Sequence, residues 1–149
     1  MPLTQNVRPI QTFELGAHDI NILHTEAAMF DHIGIGVTSL GECTTFYLKA
    51  LQPLGVEVAM QGPYGVGLGR NKKPSLWLSE IKMQPSHIHL AFIAENRRQV
   101  DEFHVAAIAA GAKDNGPPGL RPHYHENYYA AFVIGPDGHN IEVVCHDPI

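Results

Sequence analysis

The chain has little of what several protein classes require. Only Cys43 and Cys145 are present, too few for a disulfide framework, and this favours a reducing, cytoplasmic setting. Basic side chains are scarce. Ten Lys and Arg stand against 15 Asp and Glu, a net charge of -5, which argues against nucleic acid or an anionic membrane as partner. The densest basic cluster, Arg70, Lys72 and Lys73, is too small for a phosphate track. No apolar run is long enough to span a bilayer, and the N-terminus has no basic region leading into an apolar core, so a secretory signal is not evident. GPYGVGLG lacks the helical stripe that a dinucleotide fingerprint needs after its glycines. G-x-S-x-G and paired, spaced cysteines are missing too, which removes serine hydrolase and zinc-finger readings.

Histidine, in contrast, is abundant, at ten residues. Imidazole is the commonest metal ligand and a common general base, so the placement of these residues carries the functional question. PSHIHLAF (85–92) sets His87 and His89 at the mouth of an apolar run. A wet strand end would tolerate them; a metal pocket would use at least one.

An internal repeat bears on the choice. FDHIGIGVTSLGECTTFYLKALQPLG (30–55) overlays HIHLAFIAENRRQVDEFHVAAIAAGA (87–112) at a constant offset that sets His32 on His89, Ser39 on Asn96 and Phe46 on Phe103. In each copy an apolar stripe predicts a helix: Cys43, Phe46, Tyr47, Ala50, Leu51 and Leu54 in the first; Val100, Phe103, His104, Ala107, Ile108 and Gly111 in the second. Ser39 and Asn96 stand at the N-cap position, Gly55 and Gly111 at the stops. Before each helix lies a strand whose bulky residues alternate with a histidine and small residues. About three strand-like runs follow each helix. YYAAFVI and NIEVVCH, joined across Pro136, Asp137 and Gly138, predict a hairpin. GPPGLRPHYHEN (116–127) reads as a long polar loop over a functional face. Residues 1–28, with His18 and His24, have no counterpart in the repeat and read as an N-terminal extension of unknown role; the remaining 29–149 read as one domain with modules at about 30–82 and 86–147.

Strand parity turns Glu142, with Val144 and His146, to the face opposite the helices, the face that carries His32 and His89. Two imidazoles and a carboxylate with open positions match the facial triad suited to Fe(II), and to Mn, Zn or related metals such as Ni. The competing reading makes the histidines strand-end caps and Glu142 a solvated strand residue. If Phe132 pairs with Glu142 across the hairpin, Tyr128 and Ala130 share that face. RPHYHENYY (121–129) then offers Tyr128 and His125 as acid or base groups, and Arg121, His123, Tyr124 and Phe132 as substrate contacts. A separate metal site on His123 and His125 is a further option. His104, on the helix stripe, reads as a packed structural residue, and His87 as a rim residue of the same cavity.

FDHIGIGV, HIHLAF and PDGHNIEVV resemble the vicinal oxygen chelate superfamily, which includes glyoxalase I, extradiol dioxygenases, fosfomycin-modifying enzymes and bleomycin-binding proteins. The resemblance covers about residues 30–148. It implies an α+β fold of two tandem βαβββ modules, forming a curled mixed sheet around a shared cavity, with metal positions His32, His89 and Glu142. A fourth metal position common in the family falls on Trp77, which cannot ligate. That departure disfavours a glyoxalase I reaction and leaves a three-ligand pattern, while Trp77 supplies either an aromatic wall or a core plug. The resemblance thus implies a small metal-dependent enzyme, dioxygenase-like or a related lyase or transferase, acting on a small molecule able to chelate a divalent metal. The alternative is a metal-free, bleomycin-resistance-type binder that sequesters a drug. Modules of this superfamily pair within a chain or across a dimer, and a homodimer is expected.

Overall fold

A computed structural model describes residues 31–63 and 65–148. The extension at 1–28 lies outside the described residues. Each half of the chain folds as the repeat predicts. The first runs β1 (Ile33–Val37), α1 (Leu40–Ala50), β2 (Glu57–Gly62), β3 (Gly65–Arg70) and β4 (Lys73–Glu80). The second runs β5 (His89–Ile93), α2 (Arg97–Ala109), β6 (Lys113–Leu120), β7 (Tyr129–Ile134) and β8 (Asn140–Cys145). The two four-stranded sheets have matching orders, β1-β4-β3-β2 and β5-β8-β7-β6. In each the first strand pairs parallel with the last, and the remaining pairs are antiparallel. This is an α+β fold of tandem βαβββ modules. The sheets stay separate, with β1 and β5 each left as an edge.

The helices form where the caps and stripes place them. The Ser39 hydroxyl accepts the Glu42 N–H at 3.4 Å, and the Asn96 side chain accepts the Gln99 N–H at 3.0 Å, each satisfying a donor the first turn leaves unpaired. α1 ends at Ala50, and a short 3-10 turn carries the chain to Gly55 at φ 72. Cys43, Phe46, Tyr47, Ala50, Leu51 and Leu54 are all buried, so the whole first stripe is core. The second is narrower. Val100, Phe103 and Ala107 are buried, Ile108 is 38% exposed at the edge of the interface, and His104 bonds through Nε2 to Asp114 at 2.8 Å, tying α2 to β6. The helices pack on each other, and one apolar core runs from Leu68 and Leu78 of the first sheet to Val133 and Val143 of the second. Cys43 and Cys145 are buried in it as free thiols.

The expected loop at 116–127 is half strand. Residues 116–120 belong to β6, where Gly116, Pro117, Pro118 and Gly119 are accommodated because β6 is an edge and its register shifts on both sides of Gly116. Only 121–128 is left as connection. At the turn between β7 and β8, Asp137 and Gly138 both take positive φ, 59 and 79, as a tight hairpin requires. His87 stands against that turn: a Cβ on Gly138 would lie 2.7 Å from His87 Nε2. Among the described residues no helix is long and apolar enough to cross a membrane.

Candidate functional site

β8 alternates as its parity predicts. Ile141, Val143 and Cys145 face the helices; Glu142 and His146 face the other way. Phe132 pairs with Glu142 across the hairpin, so Tyr128, Ala130 and Phe132 line the same face. On the parallel neighbour β5, His89 pairs with Asn140 and Ala91 with Glu142, which brings the His89 ring beside the carboxylate.

The result is a buried carboxylate held from two sides. Glu142 is 1% exposed. Its Oε2 lies 2.7 Å from His89 Nε2, and its Oε1 accepts the Tyr128 hydroxyl at 2.5 Å. Both bonds are charge-assisted, the kind that makes carboxylate burial tolerable. Burial first, and Glu142 second, push the Tyr128 hydroxyl up to about 12, so Tyr128 acts as a fixed donor at neutral pH. The His89 side chain is 54% exposed, leaving the pair open to solvent on one side. The Phe132 ring lies 6.3 Å from the His89 ring, and the Arg121 guanidinium lies 5.6 Å from the Phe132 ring centre. Arg121 is held there by the carbonyls of Pro117 at 2.7 Å and Leu120 at 3.3 Å.

Beyond Tyr128 the aromatic cluster continues. Tyr124, His125 and His146 stand edge-on to the Tyr128 ring at 4.9, 5.2 and 5.2 Å, and His123 lies 4.3 Å from Tyr124. His125 pairs with His146, at 2.7 Å between ring nitrogens. His146 received no role from the sequence, although it shares the parity of Glu142. His123 contacts Tyr124 and forms no bond with His125 among the described residues.

Two of the sequence-derived residues stand on the other sheet. His32 sits just before β1, 57% exposed, with Nδ1 2.9 Å from Asp31. It lines a cavity of about 530 Å³ together with Leu51, Leu68 and Leu76 of the first module, Leu90 and Phe92 of β5, and Arg70 and Lys73. Those cations are partnered, Lys73 with Asp31 at 2.9 Å and Arg70 with Glu95 at 3.6 Å. Trp77 lies on the open face of the first sheet, in register with Gly34 and Gly67. A single chain therefore brings His89, Glu142, Tyr128, Phe132 and Arg121 together and leaves His32 and Trp77 apart. Among the described residues no three histidine, cysteine or acidic side chains converge as a metal cluster.

The donor set can be tested against a cation. An imidazole nitrogen and a carboxylate oxygen each about 2.1 Å from one ion, at right angles, stand about 3 Å apart. The 2.7 Å between His89 and Glu142 is close to that. One chain thus supplies two suitable donors.

Tandem βαβββ modules with an imidazole–carboxylate pair on an open sheet face define a protein of the vicinal oxygen chelate type. The chain belongs to the Glyoxalase/Bleomycin resistance protein/Dioxygenase superfamily, whose family model matches residues 29–143. Among solved structures it is similar to a glyoxalase/bleomycin resistance protein from Albidiferax ferrireducens T118, at 26% identity and TM-score 0.66, over 80% of this chain and 100% of that one. Two more share the fold. A family enzyme from Burkholderia phytofirmans PsJN has 20% identity and TM-score 0.61, covering 78% of this chain and 98% of its own. A glyoxalase-related enzyme from Fulvimarina pelagi has 18% identity and TM-score 0.58, covering 79% and 88%. A search of curated proteins found no match.

Proposed function

We propose that the protein is a dimeric, metal-dependent enzyme acting on a small molecule that offers two neighbouring oxygens to a divalent cation. His89 and Glu142 would hold the cation, with His32 of a second copy as third ligand. The observation that carries this reading is the buried Glu142 carboxylate beside an open imidazole on a solvent-facing sheet. His32 is the repeat equivalent of His89, yet it stands on the unjoined first sheet. Pairing the first module of one copy with the second module of another would restore the set that one chain divides. Bound there, the cation would act as Lewis acid and template. The chain's own residues do the rest. Tyr128 keeps Glu142 in place, Phe132 and Arg121 wall the approach to His89, and Trp77 of the second copy would face the same space. Iron, manganese, zinc and nickel all fit an imidazole and carboxylate donor set. Ring-opening oxygenation is the reaction best matched to three protein ligands, with thiol or water addition as alternatives.

The test is metal content by elemental mass spectrometry after equilibration with Fe(II), Mn(II), Zn(II) and Ni(II). His32→Ala and Glu142→Ala proteins should each lose the metal. Co-expressed as a mixed dimer, they should regain about half the sites, because one of the two composite sites is then intact. A monomeric protein, or no recovery in the mixed dimer, would end the shared-site reading.

A metal-free, bleomycin-resistance-type binder is the second reading. Its support is that both Glu142 oxygens are already hydrogen-bonded within the chain. Such a protein would bind ligand equally well after His32→Ala and would show no specific metal.

A further inference from the structure

Tyr128 fixes Glu142, and the groups that fix Tyr128 come from two different elements. His125 lies in the connection between β6 and β7; His146 follows the last residue of β8. Their ring planes lie 24° apart, and both rings abut Tyr128 edge-on. His125 Nε2 and His146 Nδ1 are 2.7 Å apart.

A third group sets the protons of this pair. The Asn127 backbone N–H points at His125 Nδ1 from 3.2 Å, so that nitrogen accepts and carries no hydrogen. Neutral His125 then has its proton on Nε2 and donates it to His146 Nδ1. Protonating His125 would place a hydrogen on Nδ1 against the Asn127 N–H. Protonating His146 would place a hydrogen on Nδ1 against the His125 N–H. Either added proton costs one of the two bonds, the Asn127 bond when His125 takes it and the ring–ring bond when His146 takes it, so the full set holds only while both rings are neutral. The same logic disfavours a metal here, because a free lone pair on His125 Nε2 would move its hydrogen to Nδ1, against Asn127.

We propose that His125 and His146 are positioning residues for Tyr128: a proton-sensitive clasp between the 121–128 connection and the end of β8 that aims the Tyr128 hydroxyl at Glu142. The connection is built to transmit it. Tyr128 N–H donates to the His125 carbonyl at 3.2 Å, and the Arg121 N–H donates to the Tyr128 carbonyl at 2.7 Å. Both histidines are exposed, so protons reach them directly. Tyr128 is the titratable group in ring contact with both histidines, and Tyr124 reaches the pair only through the Tyr128 ring. Glu126 and Asp147 are sequence neighbours and, among the described residues, form no hydrogen bond with it. The clasp is independent of what Glu142 binds, since none of its bonds includes Glu142 or His89.

The experiment is NMR on the full chain, from about pH 8 to about pH 5, the span over which imidazole ordinarily changes charge. Protection factors of the Arg121 and Tyr128 amides report the clasp; the histidine side-chain nitrogens report its protons. On acidification both protection factors should fall about two- to tenfold, the range for one hydrogen bond. The fall should track the His125–His146 titration while the β7–β8 ladder keeps its protection. His146→Phe keeps a ring but no acceptor, and should show the low value already at pH 8 with no pH step. His146→Gln, whose amide oxygen accepts without titrating, should hold the high value throughout. Protection that ignores pH in the unmodified protein, or a His146→Phe profile identical to it, would overturn the clasp. So would Zn(II) that perturbs the His125 and His146 signals in a His89→Ala protein, which would make the pair a second metal site. If His146→Phe fails to fold, the unmodified protein and His146→Gln decide.

Discussion

Thr38 and Asp137, 99 residues apart in sequence, share two hydrogen bonds. The Thr38 hydroxyl donates to Asp137 Oδ1 at 2.6 Å, and the Thr38 N–H donates to Oδ2 at 3.0 Å. Asp137 occupies the β7–β8 turn, and Thr38 follows β1, so these bonds join the two modules directly. Burial acts to raise the Asp137 pKa, but the bonds from Thr38, with Cys43 and His139 nearby, outweigh it and hold the carboxyl below its ordinary range. Asp137→Ala should lose about 2–3 kcal/mol by urea unfolding, since it removes hydrogen bonds to a charged group and places alanine at φ 59. Asp137→Asn tolerates that φ and should lose less. Equal losses in the two variants would mean the carboxylate charge alone carries the join.

His139 predicts how the fold responds to acid. Its side chain is buried at 1% exposure. Nδ1 accepts the Ile88 N–H at 3.2 Å, and Nε2 has no partner among the described residues. Burial holds its pKa below the ordinary histidine value; Asp137 opposes this and His87 reinforces it. The native state therefore binds fewer protons than the unfolded chain below about pH 6.5, and stability should fall as pH decreases through that value. The Asp137 contribution persists further and is lost only as pH drops below the ordinary carboxylate value of about 3.9. Urea midpoints at about pH 7.5 and about pH 5.5 check the first step. His139→Phe should flatten the change between them; an unaltered slope would assign it to other histidines.

Tyr128→Phe isolates the donor to Glu142. The ring and its aromatic neighbours remain, but Glu142 Oε1 loses its partner in a buried site. A stranded buried acceptor costs about 1–3 kcal/mol, and that loss should appear in urea unfolding at neutral pH. Because the Tyr128 hydroxyl is pushed up to about 12, the difference between the two proteins should not vary with pH between about 6 and 9 through Tyr128 itself. Metal or ligand binding that needs Glu142 should weaken with it. A variant as stable as the parent would show that His89 alone satisfies the carboxylate.

What the sequence revealed divides along physical lines. The repeat exposed both helices because caps and apolar stripes are local, and Ser39 and Asn96 do cap them. The pairing of Phe132 with Glu142 stood as a condition on hairpin register, and because the hairpin meets it, Tyr128 lies on the face of Glu142. β6 was hidden because Gly-Pro-Pro-Gly is strand-averse, and only its edge position makes it a strand. The Thr38–Asp137 join and the His125–His146 pair were hidden for another reason. Both are contacts between elements distant in sequence, with no spacing to betray them. The separation of His32 from His89 belongs here too. Modules of matching topology can associate within a chain or between copies, and the repeated pattern is the same either way.

The first sheet's open face gives a prediction with a built-in reporter, because Trp77 is the only tryptophan. Gly67 lies in register with it, and a Cβ there would sit 3.2 Å from the indole and 2.7 Å from the Pro74 Cβ. Glycine is thus what lets the indole lie on the sheet. Gly67→Ala should lift Trp77 toward solvent, shift its emission to the red and cost about 1–3 kcal/mol as an overpacking substitution. Gly34→Ala is the control, since its Cβ would meet Trp77 only at 4.0 Å, an ordinary contact. Under the shared-site reading, Trp77 lies across from the second copy's His89, so Gly67→Ala should also weaken dimer formation in sedimentation while Gly34→Ala leaves it intact. An emission shift without any change in association would assign Trp77 to the packing of its own sheet and remove it from the ligand wall.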